Sequence, residues 1–276
     1  MLKTLWNSLH TGVVTTRYPE QPADPSPGSR GAPEIVAGRP FAQLPPPSVC
    51  PSGAIAADPA GDHYAIDLAR CVFCGRCAGS SEQAPIAIGR GFELAARRRD
   101  DLVDRVARDA DGCTVVVESA DGPPPERVAE AIRRTLGRSL HLRHLDAGSC
   151  NACDWELTAM LNPVYDVRRL GIDFVASPRH ADGVIVTGPV TRNLEAAVRR
   201  TYEAVPEPRI VIAVGACASS GGIVGQSYAS AGGVASVLPV DVFIPGCPPR
   251  PEAILFGILV AIGRLEARRG PPRANP

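Results

Sequence analysis

Short apolar runs recur through the second half of the chain, and stretches with helical periodicity separate them. The apolar runs predict strands at residues 140–145, 172–176, 183–187, 210–214 and 240–244. Helices are predicted from about residue 155, over residues 194–204 and from about residue 252. The run IVIAV at 210–214 is apolar at every position, which is typical of a strand buried on both faces. The alternation predicts an α/β domain with a parallel sheet covered by helices.

The first half of the chain has a different pattern. An amphipathic helix over residues 1–14 is predicted to dock on an apolar partner, because one face carries Leu2, Leu5, Trp6, Leu9 and Val13. Residues 18–49 are rich in Pro, Gly and Ser, which predicts an extended arm. Further strands are predicted at 54–57, 63–66, 86–88 and 114–118, and a helix at 126–136. We therefore divide the chain into an arm (1–49), a cysteine-bearing domain (50–100), a connecting segment (101–138) and the α/β domain (139–276).

Composition and charge exclude several classes of protein. The chain has 276 residues, of which 45% are hydrophobic, so it can build a core. Its formal net charge is zero, so no broad positive field favours nucleic acid. The longest apolar run, residues 253–263, is about half the roughly 20 residues that a transmembrane helix needs, and the N-terminus lacks a secretory signal pattern. In the reducing cytosol that we expect, nine cysteines favour metal binding over disulfides.

One candidate metal site lies in the cysteine-bearing domain. Cys71, Cys74 and Cys77 form a C-x2-C-x2-C run, and Cys50 is followed by Pro51. Two-cluster ferredoxins use C-x2-C-x2-C-x3-C-P twice, and the fourth cysteine of each run binds the other run's cluster. Counting from the surviving cysteines, the missing ligands fall at Pro40, Gln43, Pro46 and Ser81. All four missing positions belong to one cluster, so the surviving four cysteines are the complete set of the other.

Four thiolates with no nearby histidine suit a [4Fe–4S] cluster. The alternative is a structural zinc site, but zinc sites usually pair two C-x2-C motifs instead of using a triple run.

A second candidate site is spread over Gly-bearing loops of the α/β domain. Its cysteines are Cys150, Cys153, Cys217 and Cys247. They lie a few residues past three predicted strands, and loops at the carboxyl ends of parallel strands share one edge of the sheet. Three loops would then bring four thiols to one place. The alternative for any single one is a small buried apolar residue, and Cys113 is expected to be of that kind.

Several segments of the α/β domain resemble a known family. They are GSCNACDWELTAMLNPVYD, SPRHADGVIVTGPVTR, IAVGACASSGGI and VDVFIPGCPPRPEAI, within residues 140–265. They resemble the small subunits of group 4 membrane-bound [NiFe] hydrogenases, of the formate hydrogenlyase and energy-converting type, and more distantly the cluster-binding subunit of respiratory complex I. The resemblance implies a flavodoxin-like sheet that holds one [4Fe–4S] cluster through the four loop cysteines. The complex I subunit has two adjacent cysteines where this chain has C-x2-C, which favours the hydrogenase branch.

The first half is similar to the ferredoxin-like subunit of the same complexes, in TGVVTTRYPEQP and ARCVFCGRCA. This similarity implies an N-terminal α+β ferredoxin-like domain with a single cluster, fused to the hydrogenase-like domain. Together the resemblances imply a relay through two [4Fe–4S] clusters to or from the [NiFe] site of a partner large subunit. Membrane-arm subunits and an upstream donor, ferredoxin or a formate dehydrogenase-like protein, are the other implied partners. The implied location is peripheral, on the cytoplasmic side of the membrane.

Two other functions stay open. One is the electron relay of a complex I-like quinone oxidoreductase, or of a related complex without a [NiFe] site. The other is a structural adaptor that holds zinc or no metal.

A few further residues are candidates for roles beside the cysteines. Glu156 is a candidate proton relay, because burial can raise the pKa of a carboxyl group, although an acid near a helix N-terminus is an equal interpretation. Arg179 and His180 lie in a predicted loop that either tunes the site, faces a partner subunit or is simply solvated. Trp155 is predicted to pack in the core or in an interface.

Overall fold

The computed structural model describes residues 2–25, 28–81, 83–117, 139–265 and 267 of the chain. The strands of these residues are β1 (Pro33–Ile35), β2 (Ile55–Ala57), β3 (His63–Asp67), β4 (Ile86–Ile88), β5 (Val103–Arg108), β6 (Thr114–Val117), β7 (Leu140–Asp146), β8 (Ile172–Phe174), β9 (Gly183–Thr187), β10 (Ile210–Val214) and β11 (Val242–Ile244). Their α-helices are α1 (Leu2–Thr11), α2 (Ala152–Ala159), α3 (Arg192–Glu203), α4 (Gly215–Ser220) and α5 (Pro251–Ala261). The helix predicted at 126–136 lies outside the described residues.

The second half of the chain is built on a five-stranded sheet of parallel strands. The strand order is β11-β10-β9-β7-β8, and every pairing in it is parallel. Counted from β7 as the first strand, this is the order 2-1-3-4-5 of flavodoxin-like folds. The prediction of an α/β domain with a flavodoxin-like parallel sheet is confirmed.

Four of these strands end in the same row. Asp146 pairs with Thr187, Thr187 with Val214, and Val214 with Ile244, and each is the last residue of its strand. The loops that follow β7, β9, β10 and β11 therefore start at one level along the carboxyl edge of the sheet.

Side chains of strand β10 pack on both faces of the sheet. Successive side chains of a strand point to opposite faces. Ile210, Ile212 and Val214 join the apolar cluster that contains α5, whereas Val211 and Ala213 join a second cluster on the other face. All eleven residues of α5 are buried, which fits a helix that is apolar on all sides.

The first half of the described chain is β-rich. Strands β2, β3, β5 and β6 form an antiparallel sheet in that order, and β1 pairs with β4. Between residues 28 and 117, the described residues contain 3-10 turns but no α-helix. Strands β5 and β6 come from the segment that we expected only to connect two domains, and they complete this sheet through Val117.

The two halves pack against each other directly. Residues of the antiparallel sheet, such as Tyr64 and Ile66, lie in the same apolar cluster as Val184 and Val211 of the parallel sheet. Ala96 and Phe243 also form an antiparallel β-bridge, with N–O distances of 3.0 and 2.8 Å. The two halves therefore share a continuous apolar core.

Helix α1 leaves large apolar side chains exposed. Trp6 and Leu9 are 62% and 76% exposed, and Val13, two residues past the end of the helix, is 90% exposed. Just after the helix, Thr15 donates a hydrogen bond to the carbonyl of Pro163, and Thr16 N–H donates one to that of Val164. The predicted helix forms over Leu2–Thr11, the chain just after it is held by these hydrogen bonds, and Trp6 and Leu9 face outward.

Candidate metal centres

The first cysteine site (Cys50, Cys71, Cys74 and Cys77) lies at one end of the β2–β3 hairpin. Ile55 pairs with Ile66, so the chain before β2 and the chain after β3 emerge at the same end. Each of Cys50, Cys74 and Cys77 is near enough to affect the pKa of the Cys71 thiol electrostatically. The pairing of β2 with β3 therefore brings Cys50 close to the triplet of Cys71, Cys74 and Cys77, which begins about twenty residues later in the chain.

A pocket opens between these four thiols. It is partly open to solvent, and all four cysteines line it. Apolar side chains of Ile55 and Ile66 form part of its wall. Cys71 is buried at the inner side, whereas Cys74 is exposed.

The pKa values of Cys50 and Cys71 shift in opposite directions because the two thiols differ in burial and in hydrogen bonds. Burial raises the pKa of Cys71 to about 12, against a smaller opposing effect of the Phe73 N–H group. Burial also raises the pKa of Cys50, but hydrogen bonds from Ser52, Ala54 and Ile55 outweigh it and the net pKa is lowered. The Ala54 N–H group lies 3.2 Å from Cys50 Sγ. Cys50 thus favours the thiolate more than an ordinary cysteine does, whereas a nearby positive charge such as bound metal would favour the thiolate of Cys71.

The second cysteine site (Cys150, Cys153, Cys217 and Cys247) lies beyond the row of strand ends. Cys150 stands between β7 and α2, and Cys153 lies in the first turn of α2. Cys217 belongs to α4, which follows β10 directly, and Cys247 is three residues past the end of β11. The edge position that sequence predicted for the four loop cysteines is the one that the structure shows.

The four thiols of the second site are mutually close. Cys217, Cys247 and Cys150 each raise the pKa of Cys153 electrostatically, after burial as the largest cause. Cys247 and Cys150 do the same for Cys217, again after burial. Exposure is uneven, since Cys153 is buried whereas Cys150 and Cys247 are exposed.

A glycine provides the space that Cys153 occupies. Gly215 has φ +87°, and a Cβ atom there would lie 2.7 Å from Cys153 Sγ. Gly222 has the same relation to Cys217, with φ +56° and a distance of 3.0 Å. Both positions require glycine because of backbone conformation and because of the adjacent sulfur.

The donor sets suit iron–sulfur chemistry. Each site offers four cysteine sulfurs, and a [4Fe–4S] cluster binds one cysteine at each of four irons. Among residues 2–25, 28–81, 83–117, 139–265 and 267, no three or more His, Cys, Asp or Glu side chains are arranged around a single metal ion. A cubane separates its cysteine ligands by its own irons and sulfides, so its ligands do not converge on one point.

Cys113 is outside both sites. It forms an isolated bridge with Pro40, and its N–H group donates to Asp109 at 2.7 Å. Pro40 is one of the positions where a second ferredoxin cluster would have had a ligand. Nearby Phe41 and Leu44 pack against the apolar core.

Polar contacts join the two cysteine sites. Ser220, three residues after Cys217, donates to the carbonyl of Ala69 at 2.8 Å, two residues before Cys71. On another side, Arg30 donates to the carbonyl of Cys74 at 3.0 Å. Its neighbour Ser29 accepts from Arg250 at 3.1 Å. The two sites are therefore adjacent parts of one packed structure.

A group of acids and tyrosines lies next to the second site, and the sequence indicated only one of them. Burial raises the pKa of Glu156, and the charge of Glu252 raises it further, while Arg250 opposes both. Arg250 and Glu252 form a two-pronged ion pair at 2.9 and 3.0 Å. Burial and the same Glu252 charge also raise the pKa of Tyr165. The available signal was that Glu252 is the one charged residue of the apolar helix α5.

Other candidates lie at the surface. Arg179 and His180, in a 3-10 turn at Pro178–His180, are not buried. Trp155 is 72% exposed, so the core alternative for it is wrong and the interface alternative stays a prediction. Among the residues that the structure describes, no helix is both long and apolar enough to cross a membrane.

Comparison with known proteins identifies the second half. Residues 150–261 match the family described as NADH ubiquinone oxidoreductase, 20 Kd subunit. The probable membrane-bound hydrogenase subunit mbhJ of Pyrococcus furiosus is 47% identical over 140 residues, which cover 51% of this chain and 83% of that protein. Formate hydrogenlyase subunit 7 of Escherichia coli is 42% identical over 167 residues, or 59% of this chain and 65% of that protein.

A complex I-type protein is also similar. A NADH-quinone oxidoreductase subunit of Citrifermentans bemidjiense is 49% identical over 107 residues, which cover 39% of this chain and 62% of that protein. The resemblance expected for the second half is confirmed, whereas the ferredoxin-like assignment of the first half stays a prediction. The chain belongs to the NADH ubiquinone oxidoreductase 20 Kd subunit family, alongside membrane-bound hydrogenase and formate hydrogenlyase proteins that are themselves subunits of oxidoreductase complexes.

Proposed function

We propose that this chain relays electrons through two [4Fe–4S] clusters within a membrane-bound hydrogenase complex of the formate hydrogenlyase type. Electrons pass between the first cysteine site, the second cysteine site and a [NiFe] site on a partner large subunit. The observation that carries the proposal is the gathering of eight thiols into two sets of four. The identity to mbhJ and to formate hydrogenlyase subunit 7 favours hydrogenase as the class of complex.

The contacts between the two sites support a relay within one chain. Ser220 and Ala69 are joined by a hydrogen bond, and each lies within three residues of a proposed ligand. A path of short covalent segments and one hydrogen bond thus connects Cys217 to Cys71. Two sites on separate, independently moving domains would lack such a path.

The residues of the chain have defined tasks in this proposal. The bound clusters supply one-electron redox chemistry. The hairpin end and the sheet edge hold the thiolates, and the N–H groups around Cys50 stabilise its negative charge. Burial of Cys71 and Cys153 keeps water away from the inner side of each site.

Glu156 is proposed as a proton relay beside the second site. Its pKa is raised by burial and by Glu252, so it exchanges protons closer to neutral pH than an exposed glutamate does. Tyr165 feels the charges of both acids and lies in the same group.

The proposed partners follow from the relatives and from the exposed surface. A [NiFe] large subunit covers the second site, where Trp155 and the thiols of Cys150 and Cys247 are exposed. Membrane-arm subunits contact the exposed residues of α1, and ferredoxin or a formate dehydrogenase-like protein delivers electrons at the first site. The chain is then peripheral, on the cytoplasmic side of the membrane.

Iron analysis and low-temperature EPR of the anaerobically purified chain test the proposal. About eight irons per chain and two reduced-cluster signals are expected. Cys71→Ala and Cys217→Ala should each lower the iron content to about four, with loss of a different signal. Cys113→Ala is the matched control and should keep both clusters. Stoichiometric zinc, or no metal, would refute the relay and favour a structural adaptor.

A second candidate is the relay of a complex I-like quinone oxidoreductase. It is favoured by the 49% identity to the NADH-quinone oxidoreductase protein of Citrifermentans bemidjiense. Isolation of the native complex separates the two functions, because a hydrogenase contains nickel and consumes or evolves hydrogen. A nickel-free complex that reduces quinone would replace the hydrogenase assignment.

A further inference from the structure

The carboxylate of Asp154 lies where three elements of the α/β domain meet. Asp154 is in the first turn of α2, directly after Cys153. Its Oδ1 atom accepts from Thr187 Oγ1, at the end of β9, at 2.8 Å. The same oxygen lies 2.9 Å from His144 Nε2, on β7. A carboxylate only accepts hydrogen bonds, so this nitrogen of His144 carries the hydrogen.

The other oxygen of Asp154 binds the loop that contains Cys150. Ser149 Oγ donates to Asp154 Oδ2. Ser149 Oγ in turn accepts from the Asn151 N–H group at 3.0 Å, so hydrogen bonds flank Cys150 on both sides. The loop begins with Asp146, which accepts from the Ser149 N–H group at 2.7 Å. The Asp154 carboxylate thus connects helix α2 to the loop that carries Cys150 and to strands β7 and β9.

The environment of this carboxylate holds it in a fixed position. Its side chain is only 14% exposed, and three protein donors replace the water that it would bind in solution. Burial lowers the pKa of His144 below its ordinary value, so the ring is neutral at pH 7 and does not cancel the charge. Asp154 follows Cys153 directly in the chain, so its carboxylate lies next to a proposed cluster ligand.

We propose that Asp154 is a positioning residue that fixes Cys150 and Cys153, and that its charge lowers the reduction potential of the cluster they hold. The inference rests on the proposed function, since it concerns the second cluster. Reduction adds a negative charge to the cluster, and a carboxylate next to one of its ligands disfavours that addition. Because Asp154 is adjacent in the chain to a ligand of the second site, its charge acts more strongly on that cluster than on the first.

Two substitutions separate position from charge. Asp154→Asn keeps an oxygen for Thr187 and His144 and presents an amide to the Ser149 hydroxyl, so it removes the charge and preserves the contacts. Asp154→Ala removes the contacts as well. The first cluster of the same molecule is the internal control for both variants.

Iron analysis and an EPR-monitored redox titration of the full chain give the readouts. The wild type must first show about eight irons, because zinc or no iron there would refute the proposed function itself. Asp154→Asn should retain about eight irons and shift only the second cluster to a more positive potential. Asp154→Ala should fall to about four irons and lose the second signal.

Unchanged potentials in Asp154→Asn, or equal shifts of both clusters, would overturn the role of the charge. An iron content of about eight per chain in Asp154→Ala would overturn the positioning role. A full iron content in Asp154→Asn together with a reduced one in Asp154→Ala would support it.

Discussion

Gly215→Ala is expected to remove the second cluster and to spare the first. A Cβ atom at this position would lie 2.7 Å from Cys153 Sγ, whereas ordinary contacts begin at 3.4 Å. The sulfur would therefore have to move by about 0.7 Å, the difference of those two distances. Metal–ligand distances tolerate only about 0.2 Å, so Cys153 would no longer be in place as a ligand.

The same substitution also strains the backbone. Alanine at φ +87° is in the left-handed region, which costs about 1–2 kcal/mol. Gly225→Ala is the matched control, because Gly225 has φ +63° in a nearby loop and nothing lies within 4 Å of its Cβ position. The control carries the backbone strain without the contact to sulfur. Gly222→Ala is intermediate, since its Cβ would lie 3.0 Å from Cys217 Sγ.

Iron content and low-temperature EPR of the three variants provide the assay. Gly215→Ala should hold about four irons with the first signal intact, and Gly225→Ala about eight. Gly222→Ala should fall between them. Two results would refute the reasoning: a full iron content in Gly215→Ala, or an equal loss in Gly225→Ala. The first would show that Cys153 is no ligand, and the second that strain alone empties the site.

Three further predictions concern stability and assembly. Tyr18→Phe keeps the buried ring against Phe92 but removes the 2.9 Å hydrogen bond to Glu93, so chemical denaturation should show a loss of about 1–3 kcal/mol. Burial raises the pKa of Asp241 above its ordinary value of 3.8. The folded protein therefore loses stability as the pH rises from 3.8 through this raised pKa. Asp241→Asn should therefore be more stabilising at pH 7 than at pH 4, and the opposite trend in denaturation curves would contradict this pKa. Trp155→Ala should change stability by less than about 0.5 kcal/mol, because the side chain is exposed, but a titration with the large subunit should show binding weakened by about 2 kcal/mol.

Much of the α/β domain could be predicted from local pattern. Strands at 183–187 and 210–214 were predicted with the bounds that the structure has, because their apolar runs are bounded by polar residues or glycine. The strands predicted at 172–176 and 240–244 are two residues shorter in the structure, and the strand predicted at 140–145 is one residue longer, since the end of a strand depends on its neighbour. The β5 strand was missed, because VDRVAR alternates apolar and charged residues and gains its character only by pairing with β3.

The sequence by itself determined that eight cysteines form two groups, because strand ends and motif spacing are local features of the amino-acid sequence. It also determined the family, since the motifs around Cys150, Cys217 and Cys247 are contiguous. Only the tertiary structure decided which residues surround those thiols. Asp154 meets Thr187 across 33 residues, Arg250 meets Ser29 across 221, and Gly215 approaches Cys153 across 62. Such contacts depend on how strands are ordered and how loops pack over their ends, and no local periodicity encodes that.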